Sequence, residues 1–287
     1  MAQAKVERLH SKIAALKVKM QELQAIETQL QTAPDKQISL TDPDARSMMT
    51  RGTGMVGYNV QAAVDAKHHL IVTHEVTNDG VDRDQLSNVA MQAREAMGVE
   101  ALSVVADRGY FKSEEILACH EAGITAFVPK TLTSGATAAG RFGKGDFIYD
   151  AARNEYRCPA GQSLIWRFSH VEKGLKLHRY WSSNCQRCAL KDQCTPSAQR
   201  RVSRWEHESV LDAMQTRLDQ APEMMRIRRQ TVEHPFGTLK AWMGATHFLT
   251  RTLDRVSTEM SLHVLAYNFK RVLNLLGSGA LMAAMKA

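Results

Sequence analysis

The sequence predicts an α/β fold in which a mixed sheet flanked by helices is preceded by one long linker helix and interrupted by a basic, cysteine-rich insertion. Three observations predict it. Apolar residues first recur at three- and four-residue spacings, then every second residue, then in alternating helical and strand patterns up to about residue 128. Four of the five cysteines fall between Cys158 and Cys194. The stretch from Arg153 to Arg204 holds 11 Lys and Arg against 3 Asp and Glu, while the rest of the 287 residues carry 26 against 27. With 44% hydrophobic residues the chain can bury a real core, which excludes a disordered protein. Apolar stretches are short, and MAQAKVERLH has no signal-peptide core, so a cytoplasmic protein is expected. The net charge of +7 favours a polyanionic partner.

In residues 1–34, Val6, Leu9, Ile13, Leu16, Met20 and Leu23 form a heptad seam, with Glu27 interrupting it and Leu30 resuming it. A coiled-coil-like helix from Ala2 to Thr32, ended by Pro34, is expected. It would either pack on the following domain or pair with a second copy as a homodimer. A chain that opens inside a long helix also reads as one lacking a preceding region.

Residues 35–150 are expected to form the first part of a core. Ile38 and Leu40 alternate with Gln37, Ser39 and Thr41, predicting a short strand that ends at Asp42-Pro43-Asp44. Tyr58, Val60, Ala62 and Val64 predict a second strand, Asp65 to His68 a turn, and Leu70 to Val76 an antiparallel return. A helix follows from about Asp84, read as a helix-start residue, to Met97. Leu102 to Ala106 reads as a buried parallel strand broken at Asp107. Ser113 as N-cap and Gly123 bracket a second helix, and Ala126 to Val128 is the fifth strand. In such an order strand-end residues converge at one sheet edge, which would hold both Asp42 and Asp107. Cys119 reads as a small core residue.

Residues 151–204 form the expected insertion. Cys158, then Cys185-x2-Cys188, then Cys194 fit a tetrahedral structural zinc site, because a small loop-rich module lacks the core to fold unaided. Reduced structural cysteines and a latent redox pair are the alternatives. Arg200, Arg201 and Arg204 beside them make the module a basic patch expected to contact phosphates.

Residues 205–287 are expected to be helical. Arg226, Arg229, Glu233 and Lys240 differ by three, four and seven, so one continuous helix would place them on one face. A solvated charged stripe explains that spacing equally well, and Pro235 predicts a kink or restart.

Five ordered strings carry a more specific signal. They are Thr41-Asp42-Pro43-Asp44-Ala45-Arg46, Gly57-Tyr58-Asn59-Val60-Gln61, Ala106-Asp107-Arg108-Gly109-Tyr110, Val232-Glu233-His234-Pro235-Phe236-Gly237-Thr238-Leu239-Lys240 and Ala266-Tyr267-Asn268. Together, over roughly residues 36–275, the chain resembles the DDE transposases of bacterial insertion sequences, in the branch with a cysteine-rich insertion before the glutamate. The resemblance implies a ribonuclease-H-like fold that cuts and joins DNA with divalent metal. It implies Asp42, Asp107 and Glu233 as the catalytic, metal-holding triad. Arg229 and Lys240 match the family's cations on the glutamate helix, whereas Arg226 stands where the family has tyrosine. Asp44 is the rival for Asp42, and Asp65 a weaker one.

The chemistry suits these residue types. Phosphodiester cleavage needs an activated nucleophile, a stabilised leaving oxygen and charge neutralisation, which a pair of Mg²⁺ or Mn²⁺ ions held by carboxylates provides. Arg226, Arg229 and Lys240 would then grip phosphates without reading sequence. Transposon ends and target DNA are the implied partners, in the nucleoid. His234 reads as structural. A nuclease without strand transfer and a catalytically idle DNA-binding remnant are the competing functions.

Overall fold

The computed structural model describes residues 2–33, 35–50, 52–131 and 134–286; Pro34, the expected helix stop, lies outside them. The chain opens with α1 (Ala2–Thr32), followed by the hairpin β1 (Arg46–Thr50) and β2 (Thr53–Gly57), then β3 (Asn59–Val64) and β4 (Ile71–Thr77). Next come α2 (Leu86–Met97), β5 (Leu102–Val105), α3 (Ser113–Glu121), β6 (Ile124–Phe127) and the short α4 (Gly135–Ala138). Strands β7 (Ile148–Asp150), β8 (Glu155–Arg157), β9 (Ser163–Glu172) and β10 (Leu175–Trp181) lead to α5 (Lys191–Cys194) and β11 (Val202–Trp205). Helices α6 (Glu208–Gln220), α7 (Met224–Gly237) and α8 (Leu253–Ala284) follow. No helix among the described residues is long and apolar enough to cross a membrane. The elements divide into two compact units, residues 1–82 with 229–287, and residues 83–228.

In the first unit β3 and β4 pair antiparallel from Asn59↔Thr77 to Val64↔Ile71, as the period-two pattern predicts. Asp65 accepts from the Lys67 and His68 backbone N–H groups and so sets the turn between them. Ile71 and Val76 pack against Leu239 and against Val256, Met260, Val264 and Tyr267, a stripe of α8 at helical spacing. Three α8 side chains clamp the β3–β4 turn by its backbone. Tyr267 Oη donates to His69 O at 2.6 Å, Arg271 Nε donates to His68 O at 2.7 Å, and the Asn268 amide both accepts from Ile71 N and donates to Ile71 O. The Tyr-Asn string of the sequence is therefore, in this unit, a structural clasp. α8 breaks at Gly277, whose φ of 78° leaves the helical region at little cost for a residue without Cβ.

The expected strand over residues 37–41 does not form. Leu40 is 75% exposed, and Ser39 Oγ accepts from Asp42 N to bend the chain instead; the pairing in this region belongs to β1 and β2. An apolar alternation with no partner strand beside it has no ladder to join. On α1 the heptad residues stay outside, with Leu9, Leu16 and Met20 between 59% and 63% exposed. Val6, Ile13 and Leu23 are exposed as well.

In the second unit β5 and β6 run parallel from Leu102↔Ile124 to Val105↔Phe127. Leu86, Ala90, Ile116, Cys119, Ile124, Ala126, Leu211 and Met214 form its core, so Cys119 is the small core residue expected, its thiol pushed up to about 11 by burial. Gly98, at φ 60°, ends α2 with its N–H on Arg94 and Glu95 carbonyls. Two expected caps are displaced. Gln85 rather than Asp84 precedes α2, with Asp84 ion-paired to Lys112; Lys112 rather than Ser113 precedes α3. A five-stranded antiparallel sheet in the order β11-β10-β9-β8-β7 occupies residues 148–205.

The mixed α/β class holds, but the single mixed sheet does not. Among the described residues the strands make four separate sheets, and β3–β4 and β5–β6 belong to different units. Hence Asp42, which is not on a strand, and Asp107 share no sheet edge. α7 runs through Pro235 to Gly237 and then widens into a π-helical turn over Thr238–Trp242, so the irregularity that the proline predicts falls a few residues beyond it. A proline at 235 has no N–H to donate to the Thr231 carbonyl one turn earlier.

Candidate active site and nucleic-acid interface

Asp42 lies in a turn of the first unit, 8% exposed. Tyr58 Oη donates to its Oδ2 at 2.8 Å, while the Asp44 and Thr252 backbone N–H groups donate to its Oδ1 at 3.3 and 3.2 Å. Burial pushes the carboxyl up, but these donors and Arg251 outweigh it and hold it below the ordinary aspartate value. The same contact raises the Tyr58 phenol, first by burial and then by the neighbouring carboxylates. Asp44, its rival, accepts from Leu253 N at 2.9 Å. Both carboxylates therefore serve the orphan donors at the start of α8. Asp42, Tyr58, Lys240, His247, Phe248 and Arg251 line one cavity of about 580 Å³ within this unit. Asp65 is a turn residue, as described above.

Glu233 is exposed on α7, and the neighbouring His234 donates from Nδ1 at 3.0 Å to Tyr267 Oη, whose own proton goes to His69 O. Arg226 and Arg229 are exposed on the same helix. Lys240 is not on their stripe as supposed. It sits in the π turn, where residues advance by a smaller angle than in an α-helix, with Nζ 6.0 Å from the Phe236 ring centre.

Asp107 follows β5 in the second unit. Its Oδ1 accepts from Gly109 N at 2.8 Å and caps the 3₁₀ turn Arg108–Tyr110; its Oδ2 is ion-paired with Arg228 at 2.7 Å. In the Arg226-Ile227-Arg228-Arg229 run nothing local marks Arg228 as the partner of Asp107; only the fold brings the two together. Tyr58 and Arg251 are equally unmarked, because their partner Asp42 is distant in sequence.

Within residues 151–204, Cys158, Cys185, Cys188 and Cys194 line a single cavity of about 30 Å³, with Arg200 at its wall. Burial raises the Cys194 thiol, Arg200 opposes that, and the other three sulfurs add to it. Thiolate sulfur is a donor that zinc takes, but the placement of these four side chains does not make a metal site. Among the described residues no three His, Cys, Asp or Glu side chains are placed as a group that could hold a metal ion, at these thiols or at the carboxylates.

The basic patch is only partly a surface. Arg204 is 9% exposed, stacked 3.7 Å from the Tyr149 ring centre, bonded to Tyr156 Oη and ion-paired with Asp212 at 2.9 Å. Burial disfavours the guanidinium charge, yet Tyr156 and Asp212 hold it. Its assignment to DNA contact is therefore corrected: it is a core cation joining the Tyr149, Tyr156 and Tyr180 cluster to α6. Arg200 is half-buried against Phe147, and Arg201 is exposed beside Trp181.

Residues 157–273 match the family model of the transposase DDE domain, a span of about two fifths of the chain that includes all four clustered cysteines and Glu233. No curated protein and no solved structure matches. The likeness supports a DDE transposase, an enzyme of the polynucleotidyl-transferase type whose substrate is DNA and whose family uses divalent metal.

Proposed function

We propose that this chain is an insertion-sequence transposase that cuts DNA and joins the new 3′ end to a target, with the chemistry carried by residues 35–150 and 205–287. The family match across the glutamate helix carries the reading. By resemblance to the family, Asp42, Asp107 and Glu233 are the residues that would hold Mg²⁺ or Mn²⁺; carboxylate oxygens are the hard donors such ions take, and the ions would supply Lewis acidity at the scissile phosphate. Tyr58 and Thr252 N fix the Asp42 carboxylate in its ionised form. Arg228 neutralises Asp107. Arg226, Arg229 and Lys240 offer guanidinium and ammonium groups to backbone phosphates and so orient the duplex without reading its sequence.

Zinc at Cys158, Cys185, Cys188 and Cys194 belongs to the same reading, as the structural metal of residues 151–204. What supports it is that the four thiols share one cavity. The cellular site of action is the nucleoid, and a second copy paired through α1 would bring two ends together.

The test is incubation of the full chain with supercoiled plasmid carrying candidate element ends, in Mg²⁺, with EDTA as control. Joined products are expected. Cleavage without joining would assign a nuclease, and neither, with DNA retained, would leave a binding protein without catalysis.

A further inference from the structure

We propose that the aromatic and guanidinium cluster on the β9–β10 face is a binding site for single-stranded DNA. The register of β9 and β10 slips between Arg179 and Tyr180, so Arg167 is an extra residue and Phe168 pairs with Arg179 while Trp166 pairs with Tyr180. The slip brings Phe168 beside Trp181, with ring centres 5.9 Å apart at 74°. Arg167 and Arg201 each stand 5.4 Å from the centre of the Trp181 ring. Arg167 is held there by Trp181 O and Ser183 Oγ. The opposite face of the sheet is covered, with Tyr156, Leu164, Tyr180 and Val202 buried in its own core. Phe168, by contrast, is 44% exposed.

Single exposed apolar side chains are common; here two aromatic rings and two guanidinium groups are gathered at one place on the sheet. Such an arrangement fits a ligand that offers flat π faces and negative charge together. Unpaired nucleotides offer both, since bases stack on exposed aromatic rings while arginines meet the phosphates. Duplex DNA hides its base faces and would need the arginines alone. The net +8 of residues 153–204 supplies the attraction for a polyanion. The inference rests on the reading that this chain acts on DNA, and it adds a strand type and a surface to it.

The experiment is fluorescence anisotropy of the full chain with a labelled oligo(dT) 15-mer and with a 15-base-pair duplex, in EDTA so that no cleavage intervenes. Phe168→Ala should weaken oligo(dT) binding about tenfold, the loss of one stacked base, and leave duplex binding unchanged. Phe168→Tyr should restore it. Arg201→Ala should weaken both and flatten the salt dependence. Since Phe168 is partly exposed, an unchanged melting curve is expected for each variant. Equal losses on the two ligands, no loss on either, or stronger binding to an oligo(U) RNA than to oligo(dT) would overturn the proposal. So would self-association of the wild type that Phe168→Ala abolishes. Metal-dependent strand joining measured on the same preparations tests the transposase reading separately, and joining by Phe168→Ala with undiminished oligo(dT) binding would sink this inference alone.

Discussion

Arg228 and Asp107, 121 positions apart, form an ion pair of 2.7 Å in which the aspartate also caps its own 3₁₀ turn. A cation thus occupies one oxygen of a carboxylate assigned to metal. Metal and guanidinium compete for the same charge, and removing the guanidinium leaves the carboxylate to the metal. Arg228→Ala should lower the Mn²⁺ concentration needed for half-maximal cleavage. Because the pair is partly exposed, the cost in stability should stay below about 1 kcal/mol. A metal titration checks the first statement and denaturant unfolding the second; a higher metal requirement would count against the competition.

Asp42 contributes to the acid limb of the stability curve, as do Asp65, Glu208 and Glu259, which are also held below their ordinary values. Its carboxyl is held below the ordinary value, so its contribution is complete above the unfolded pKa of roughly 3.9 and is lost as pH falls through the lower folded value. The anchoring of the α8 start should therefore weaken in acid below about pH 4. Asp42→Asn should lower stability at pH 7 by about 1 to 3 kcal/mol and flatten the acid dependence. Thermal melts between pH 3 and 7 measure both, and an unchanged acid slope would show that another group dominates.

Arg204 and Arg201 should separate fold from DNA contact. Arg204→Ala removes a buried, paired cation and should destabilise the second unit by about 3 kcal/mol. Arg201→Ala should leave the melting temperature in place and reduce the log–log salt slope of DNA binding by roughly 0.9, the release of one counterion. If Arg204→Ala instead melts normally and loses DNA affinity, the guanidinium is a phosphate ligand after all.

Purified protein should contain about one zinc per chain, since closed thiolate sites hold the metal tightly. Cys185→Ser should release it and lower the melting temperature of the module. A folded, zinc-free preparation by elemental analysis would reassign the four cysteines as reduced structural residues.

Much of the local structure was legible because it is local. The β3–β4 hairpin follows from Val60, Ala62 and Val64 with Asp65 at the turn, and α2, β5, α3 and β6 follow from apolar period and a closing glycine. What escaped is non-local. The β1–β2 hairpin is built from Met, Thr and Gly with Met49 and Met55 exposed, so it shows little apolar contrast. Asp42 and Asp44 look alike in sequence; what distinguishes them is which N–H group at the start of α8, some 210 positions on, each accepts. Arg204 counts as surface charge in any composition, and Tyr156 and Asp212 make it a core residue. The candidate triad was named from resemblance to a family, with Asp107's partner Arg228 unforeseen.

The most direct test of the central claim is the fate of a labelled duplex carrying an element end, in Mg²⁺, with wild type, Asp107→Asn and Glu233→Gln compared at equal folded fraction. Loss of one ligand carboxylate should leave the metal under-coordinated and reduce cleavage and joining to background in both variants, while circular dichroism and melting stay near wild type. Full cleavage by either variant would contradict the account.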